Sequence, residues 1–204
     1  LVANTGTDMT MHVSNISDPT VMKLILKTVK SDEPLPPNAE GVARLEAAVQ
    51  AAANPEAKPL EALPPIAVDI SGHMYRLDET ADLLLTDLDL LRLPANDWDM
   101  AALGLDFGQG EATLHLQSRS GKDLSIPVGL DGIYRVTTNY LGTVAACGQW
   151  LTETNFALYL RRLEQGDVLR YNLTFSNDGL TGNTVRVRRG ETGSVNSLTG
   201  HLIP

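Results

Sequence analysis

The side chains able to do chemistry are few and scattered. His12, His73, His115 and His201 share no ligand spacing. A zinc site draws its donors from short, repeated intervals, so surface histidines are expected, with His73 and His115 on strands. Asp87 with Asp89, and Asp97 with Asp99, form two D-x-D pairs. A calcium loop needs further oxygen ligands and usually a glycine at a set offset, which makes solvated acidic cover the expectation. Arg186, Arg188 and Arg189 lie near the end of a late strand. On so acidic a chain they are expected to pair with neighbouring carboxylates rather than to form an anion site.

Cys147 sits in Ala145-Ala146-Cys147-Gly148. A reactive thiolate needs a cationic neighbour to lower its pKa, and none is adjacent in sequence, so a small packed residue is expected. Trp98 and Trp150 read as packing at a barrel end rather than as ligand-stacking surfaces. Asn15-Ile16-Ser17 and Asn172-Leu173-Thr174 match the glycosylation triplet, the second in mid-strand. Nucleophile motifs of the forms G-x-S-x-G, S-x-x-K and K-T-G do not occur. Neither do G-x-x-x-x-G-K-[ST] and G-x-G-x-x-G. Gly108-Gln109-Gly110 lacks the helix that a phosphate loop would open, and reads as a turn between strands. The expected set of catalytic, cofactor-binding and metal-ligating residues is therefore empty, and no cofactor is implied.

The 204 residues carry a formal charge of −9 and a pI near 4.8. That argues against nucleic acid, whose phosphates need clustered Lys and Arg, and disfavours an anionic membrane surface. No apolar run approaches the ~18–20 residues that span a bilayer. With 43% apolar residues the chain can bury a core. One cysteine excludes an internal disulfide but leaves both a cytoplasmic and an exported location open. Leu1 does not look like a natural start, which leaves room for a leader upstream.

The elements that would position these residues follow from the patterning. Leu103, Leu105 and Phe107 alternate with Gly104, Asp106 and Gly108; after the turn, Ala112, Leu114 and Leu116 alternate with Thr113, His115 and Gln117. Period-two alternation on both sides of a Gly-rich turn predicts a β-hairpin with one apolar face. Strands are expected at 67–77, 102–108, 111–118, 123–129, 132–137, 143–151, 154–163, 167–175 and 182–189. Short strands with turn signals between them suggest a sandwich or barrel. Leu-rich 79–100 is expected to be a helix or irregular cover over one barrel end.

Before this, residues 1–5 read as the end of a strand with nothing local to pair with. A helix from Pro19 to Lys30 is expected, capped by Ser17 or Asp18. A second follows from Ala39 to about Ala53, capped by Asn38, with Val42, Leu45 and Val49 on one side. Pro-rich 54–65 reads as a semi-rigid linker. The fold class expected is α+β, mainly β: a short N-terminal helical segment followed by an antiparallel lipocalin-like β-barrel. The domains expected are 1–31 (a terminal strand and helix), 32–65 (a short helix and linker) and 66–204 (the barrel).

The order of these elements resembles a known family. Leu1-Val2-Ala3-Asn4-Thr5, the amphipathic helix, Leu35-Pro36-Pro37-Asn38, Ala43-Arg44-Leu45-Glu46-Ala47, Ser71-Gly72-His73-Met74-Tyr75-Arg76-Leu77 and Ile126-Pro127-Val128-Gly129-Leu130-Asp131-Gly132 resemble the C-terminal part of penicillin-recognising serine hydrolases. These are the bacterial class C β-lactamase-like esterases and peptidases of the CubicO group, some of which carry a lipocalin-like accessory barrel. The family's S-x-x-K, Y-x-N and K-T-G or H-x-G motifs have no match here, so no catalytic residue carries over. The resemblance implies a non-catalytic accessory domain. It would pack on the missing N-terminal hydrolase domain of the same protein, limit access to its active site or mediate assembly into a homo-oligomer. The rival expectation is a lipid- or small-molecule-binding barrel, and a cavity would discriminate the two.

Overall fold

The computed structural model describes residues 2–4, 10–12, 23, 27, 37–78, 100–140, 142–163, 167–176, 178–188 and 191–204. The chain divides into two compact units, Leu1–Asn54 and Pro55–Pro204. In the first, β1 (Val2–Asn4) pairs antiparallel with β2 (Thr10–His12), Val2 opposite His12. The first strand thus does have a local partner, through three paired positions. Of the helix expected from Pro19 to Lys30, Lys23 and Lys27 are described, and both are helical; the rest lies outside the described residues, as does 79–99. Helix α1 (Ala39–Ala53) forms where its periodicity places it. Asn38 Oδ1 accepts from the Gly41 N–H at 2.8 Å, satisfying one of the free donors at the helix start.

The second unit is a barrel. Its strands are β3 (Met74–Leu77), β4 (Met100–Phe107), β5 (Glu111–Ser118), β6 (Asp123–Gly129), β7 (Arg135–Asn139), β8 (Gly142–Trp150), β9 (Asn155–Arg162), β10 (Asp167–Phe175), β11 (Gly179–Arg188) and β12 (Glu191–Leu202). Neighbours run β6-β5-β4-β3-β12-β11-β10-β9-β8, and a parallel contact between β6 and β8 closes a nine-stranded barrel. β7 stands aside from the ring, paired on β8. The fold is α+β and mainly β, with the lipocalin-like barrel the alternation predicts.

Leu103 faces Leu116 and Leu105 faces Leu114 across the 103–118 hairpin, and all four are buried. Leu114 continues to Ile126 on β6. On the far wall Phe156 faces Leu173, and Leu158 faces Tyr171. These alternate residues all point inward, since successive side chains of a strand point to opposite faces. Inside, aromatic rings pack on one another: the Tyr75 and Phe175 ring centroids lie 5.8 Å apart, and Phe156 lies 5.3 Å from Phe107 and 5.1 Å from Trp150.

Two elements depart from the expectation. The strand predicted over 67–77 starts only at Met74, because Pro65–Ile70 is a short helix, α2. Pro65 suits its first turn. Ala67 and Ile70, three apart and hence on one face, are buried. Ser71 Oγ donates to Ala67 O at 2.8 Å and accepts from the Phe107 N–H at 2.9 Å, so the helix end is tied to β4. The twelve-residue β12 is the missed strand. Its residues run Glu191-Thr192-Gly193-Ser194-Val195-Asn196-Ser197-Leu198-Thr199-Gly200-His201-Leu202, with too few apolar side chains to show a period. Among the described residues no helix is long and apolar enough to cross a membrane.

Candidate functional site

The ring of strands is weakest where β6 meets β8. The two share one paired position, Gly129 with Cys147, whereas β8 pairs with β9 through seven positions. A Cβ on Gly129 would lie 1.9 Å from the Ile133 carbonyl oxygen; glycine permits the close approach by which the chain leaves β6 and turns back into β7. Asp131 stabilises this exit. Its Oδ1 accepts from the Ile133 N–H at 3.0 Å, and Arg135 binds both of its oxygens, at 3.1 and 3.0 Å. Arg135 Nε reaches Glu111 at 2.9 Å as well. Arg135, by donating to Asp131, holds the carboxyl below its ordinary range.

Beyond Gly129, among the described residues, no strand pairs with β8 residues 148–150 on that side, and residues 58–63 lie across the opening. The Lys58 N–H donates to Asp131 O at 2.8 Å. Gly110 and Gly132 seat this strap. Both hold positive φ, 79° and 80°, and the place of a Cβ on them is occupied by Leu60 at 3.2 Å and by the Lys58 stem at 3.1 Å respectively. Across the mouth, the Leu130 N–H donates to Gly110 O at 3.1 Å. The segment expected to be a linker is thus, from Pro55 onward, part of the barrel unit.

Strap and rim enclose a cavity of about 440 Å³, walled by Leu60, Leu63, Leu130 and Trp150 together with the glycine-rich turns. Beside it lies a smaller recess of about 200 Å³, lined by Lys58, Tyr134, Cys147, Gln149 and Tyr159. Lys58, Gly132, Gly148 and Gln149 border both. Arg161 stacks on the back of Tyr134, 4.6 Å from its ring centroid. Burial pushes the Cys147 thiol up, with Tyr134, Arg161 and Lys58 pulling the other way; burial likewise raises the Tyr134 phenol.

The residues singled out in the sequence are not brought together. His115 Nδ1 lies 3.1 Å from Ser125 Oγ, His201 lies 3.7 Å from Asp78, and His73 is exposed before β3. His12 is in β2. Among the described residues no group of three or more His, Cys, Asp and Glu could hold a metal ion. The acidic pairs at 87–89 and 97–99, Trp98, Asn15 and Arg189 lie outside the described residues, and so do the side chains of Arg186 and Arg188. Cys147 is buried, as its small neighbours suggest, yet it borders the recess. Trp150 packs at the barrel end and also walls the cavity. Asn172 donates to Asn183 Oδ1 at 2.7 Å, so its amide is engaged. Lys58, Leu60 and Tyr134 went unnoticed in the sequence. The one available signal was the prolines around 55–65, which favour an extended, pre-ordered run over a flexible one.

No family model matches the chain, and no curated protein does. Similar solved structures include a fatty-acid-binding protein from the brain of Drosophila melanogaster (13% identity, TM-score 0.44, 66% of this chain and 99% of that one). A fatty-acid-binding protein of Schistosoma mansoni in complex with arachidonic acid matches at 13% identity and TM-score 0.45, over 65% of this chain and 94% of that one. A luciferase domain of Lingulodinium polyedrum matches at 10% identity and TM-score 0.38, over 80% and 62%. These neighbours are barrels, not β-lactamase-like hydrolases. Their likeness is too slight to carry an argument about function.

Proposed function

We propose that the barrel unit is a non-catalytic module that binds a small, largely apolar molecule, held at the seam rather than in the barrel interior. The observation that carries this is the cavity of about 440 Å³ under residues 58–63, within the ~300–1,000 Å³ usual for small-molecule sites. Lipocalin-like barrels hold a ligand inside only when side chains leave room. Here the inward rings touch, so the apolar walls at the seam are the better place. Leu60 is 55% exposed, and covering it and its neighbours supplies a driving force of roughly 25 cal/mol per Å² of apolar surface removed from water. The role as accessory domain of a serine hydrolase rests on the short motifs quoted above, and nothing in the fold adds to it.

The test is a titration of the full chain with N-phenyl-1-naphthylamine, an uncharged apolar probe, followed by calorimetry. A62W places an indole on the strap at the cavity wall. Saturable binding by the parent chain, weakened about tenfold or more in a variant with the parent's circular dichroism, is expected. Absence of saturable binding, or unchanged binding by A62W, would sink the reading.

A further inference from the structure

The geometry points to a ligand that carries one anionic group, a carboxylate or a sulfonate, on its apolar body, with that group seated in the 200 Å³ recess beside Lys58. This rests on the seam reading above and adds the chemistry of the ligand's head. The two chambers differ in kind. The larger is walled mainly by leucines, Trp150 and glycines, and its ionisable side chains are Lys58 and Glu61. The smaller is lined by one ammonium, two phenols, a thiol and the Gln149 amide, with no carboxylate among its lining side chains. Ammonium, phenol and amide are all donors that an acceptor-only anion can satisfy.

Charge in the recess runs against the rest of the molecule. On a chain of net charge −9, Lys58 borders it and Arg161 lies behind Tyr134 at 4.6 Å. An acid that acts on Cys147, Asp131, has its carboxylate bound at both oxygens by Arg135, which offsets the charge an incoming anion would meet there. The Lys58 position is also fixed: its backbone N–H is bonded to Asp131 O, and its stem lies across Gly132 at 3.1–3.4 Å from where a Cβ would stand. Since Lys58 borders both chambers, a molecule with its body in the larger and its head in the smaller passes directly by the ammonium.

The test compares 8-anilinonaphthalene-1-sulfonate with N-phenyl-1-naphthylamine, which share the ring system and differ by the sulfonate. Calorimetry on the full chain should show the sulfonate binding about tenfold more tightly at low salt, the scale of one charge-assisted hydrogen bond. K58M should abolish that advantage, lowering the sulfonate's affinity about tenfold more than the uncharged probe's, whatever the loss of the Lys58 stem does to both. Should K58M fail to fold, raising the salt from 50 to 500 mM with the parent chain gives the second readout: the sulfonate's advantage should shrink as the charges are screened. Equal binding of the two probes by the parent, or an advantage untouched by K58M or by salt, overturns the anionic head while the seam site stands. If neither probe binds, the seam reading itself falls, and this inference with it.

Discussion

The far wall of the barrel, β9 to β11, and its seam, where β6 meets β8, close the same ring by opposite means. Along β9, β10 and β11 each neighbouring pair is held through eight positions, and the inward side of that wall is a continuous run of Phe156, Leu158, Leu160, Leu169, Tyr171, Leu173 and Phe175, all buried. At the seam a single pair joins β6 to β8, and closure is completed by loop: an Asp131–Arg135 clasp and a strap resting on two glycines. A regular ladder leaves no room beside it. An irregular closure leaves space and places side chains of unlike chemistry around it, which is why the candidate site lies at the seam rather than in the interior.

The sharpest way to break this contrast is to hollow out the wall. F156A removes a side chain with no exposed surface, packed against Phe107 and Trp150. It should cost about 3–5 kcal/mol, read as the shift in the urea unfolding midpoint at constant slope. A loss below that range would mean that the interior is loosely filled and able to admit a ligand, and the contrast would fail.

At the seam the backbone is the sensitive part. G129A puts a methyl where the Ile133 carbonyl oxygen already stands, 1.9 Å away. The turn out of β6 must shift, at roughly 1–3 kcal/mol, and binding of the uncharged probe should fall with it. Unfolding at the parent's midpoint would show that the seam accommodates insertion freely. G132A is milder, at about 1–2 kcal/mol for an L residue held at left-handed φ. It should also press on the Lys58 stem and weaken the sulfonate probe more than the uncharged one.

The contrast also separates what could be read from the sequence from what could not. The 103–118 hairpin was legible because its two strands have one wet and one dry face, so burial wrote a period of two into Leu103, Leu105, Leu114 and Leu116. β12 was not, because the residues it pairs to β11 include Asn196, Ser197, Thr199 and Gly200, whose contribution is backbone hydrogen bonding rather than apolar burial. α2 hid inside a predicted strand because its six residues, Pro65–Ile70, are too few to show a helical period. The recess assembles Lys58, Tyr134, Cys147 and Tyr159 from four separate segments, and no local pattern brings such residues together. Cys147 was read correctly as a small packed residue, but its place beside a cavity follows only from the way β6 departs.

The smallest expected effect concerns the clasp. Arg135 lowers the pKa of Asp131 from its ordinary value of 3.8, chiefly through the hydrogen bonds it donates. A carboxyl with a depressed folded-state pKa stabilises the fold at pH values above its unfolded value, and that contribution is lost as pH falls through the folded value. R135Q should therefore be less stable than the parent at neutral pH, by no more than about 1 kcal/mol because the pair is partly solvated. The gap should begin to narrow as pH falls below about 4, where the unfolded chain takes up the Asp131 proton, and should close as pH falls through the depressed value of the folded parent. Urea midpoints of the two proteins at pH 7, 5, 4 and 3 would show it. A gap that stays constant down to pH 3 would mean that Arg135 acts through packing and through its bond to the Ile133 carbonyl, and that the ionic clasp does not hold the seam closed.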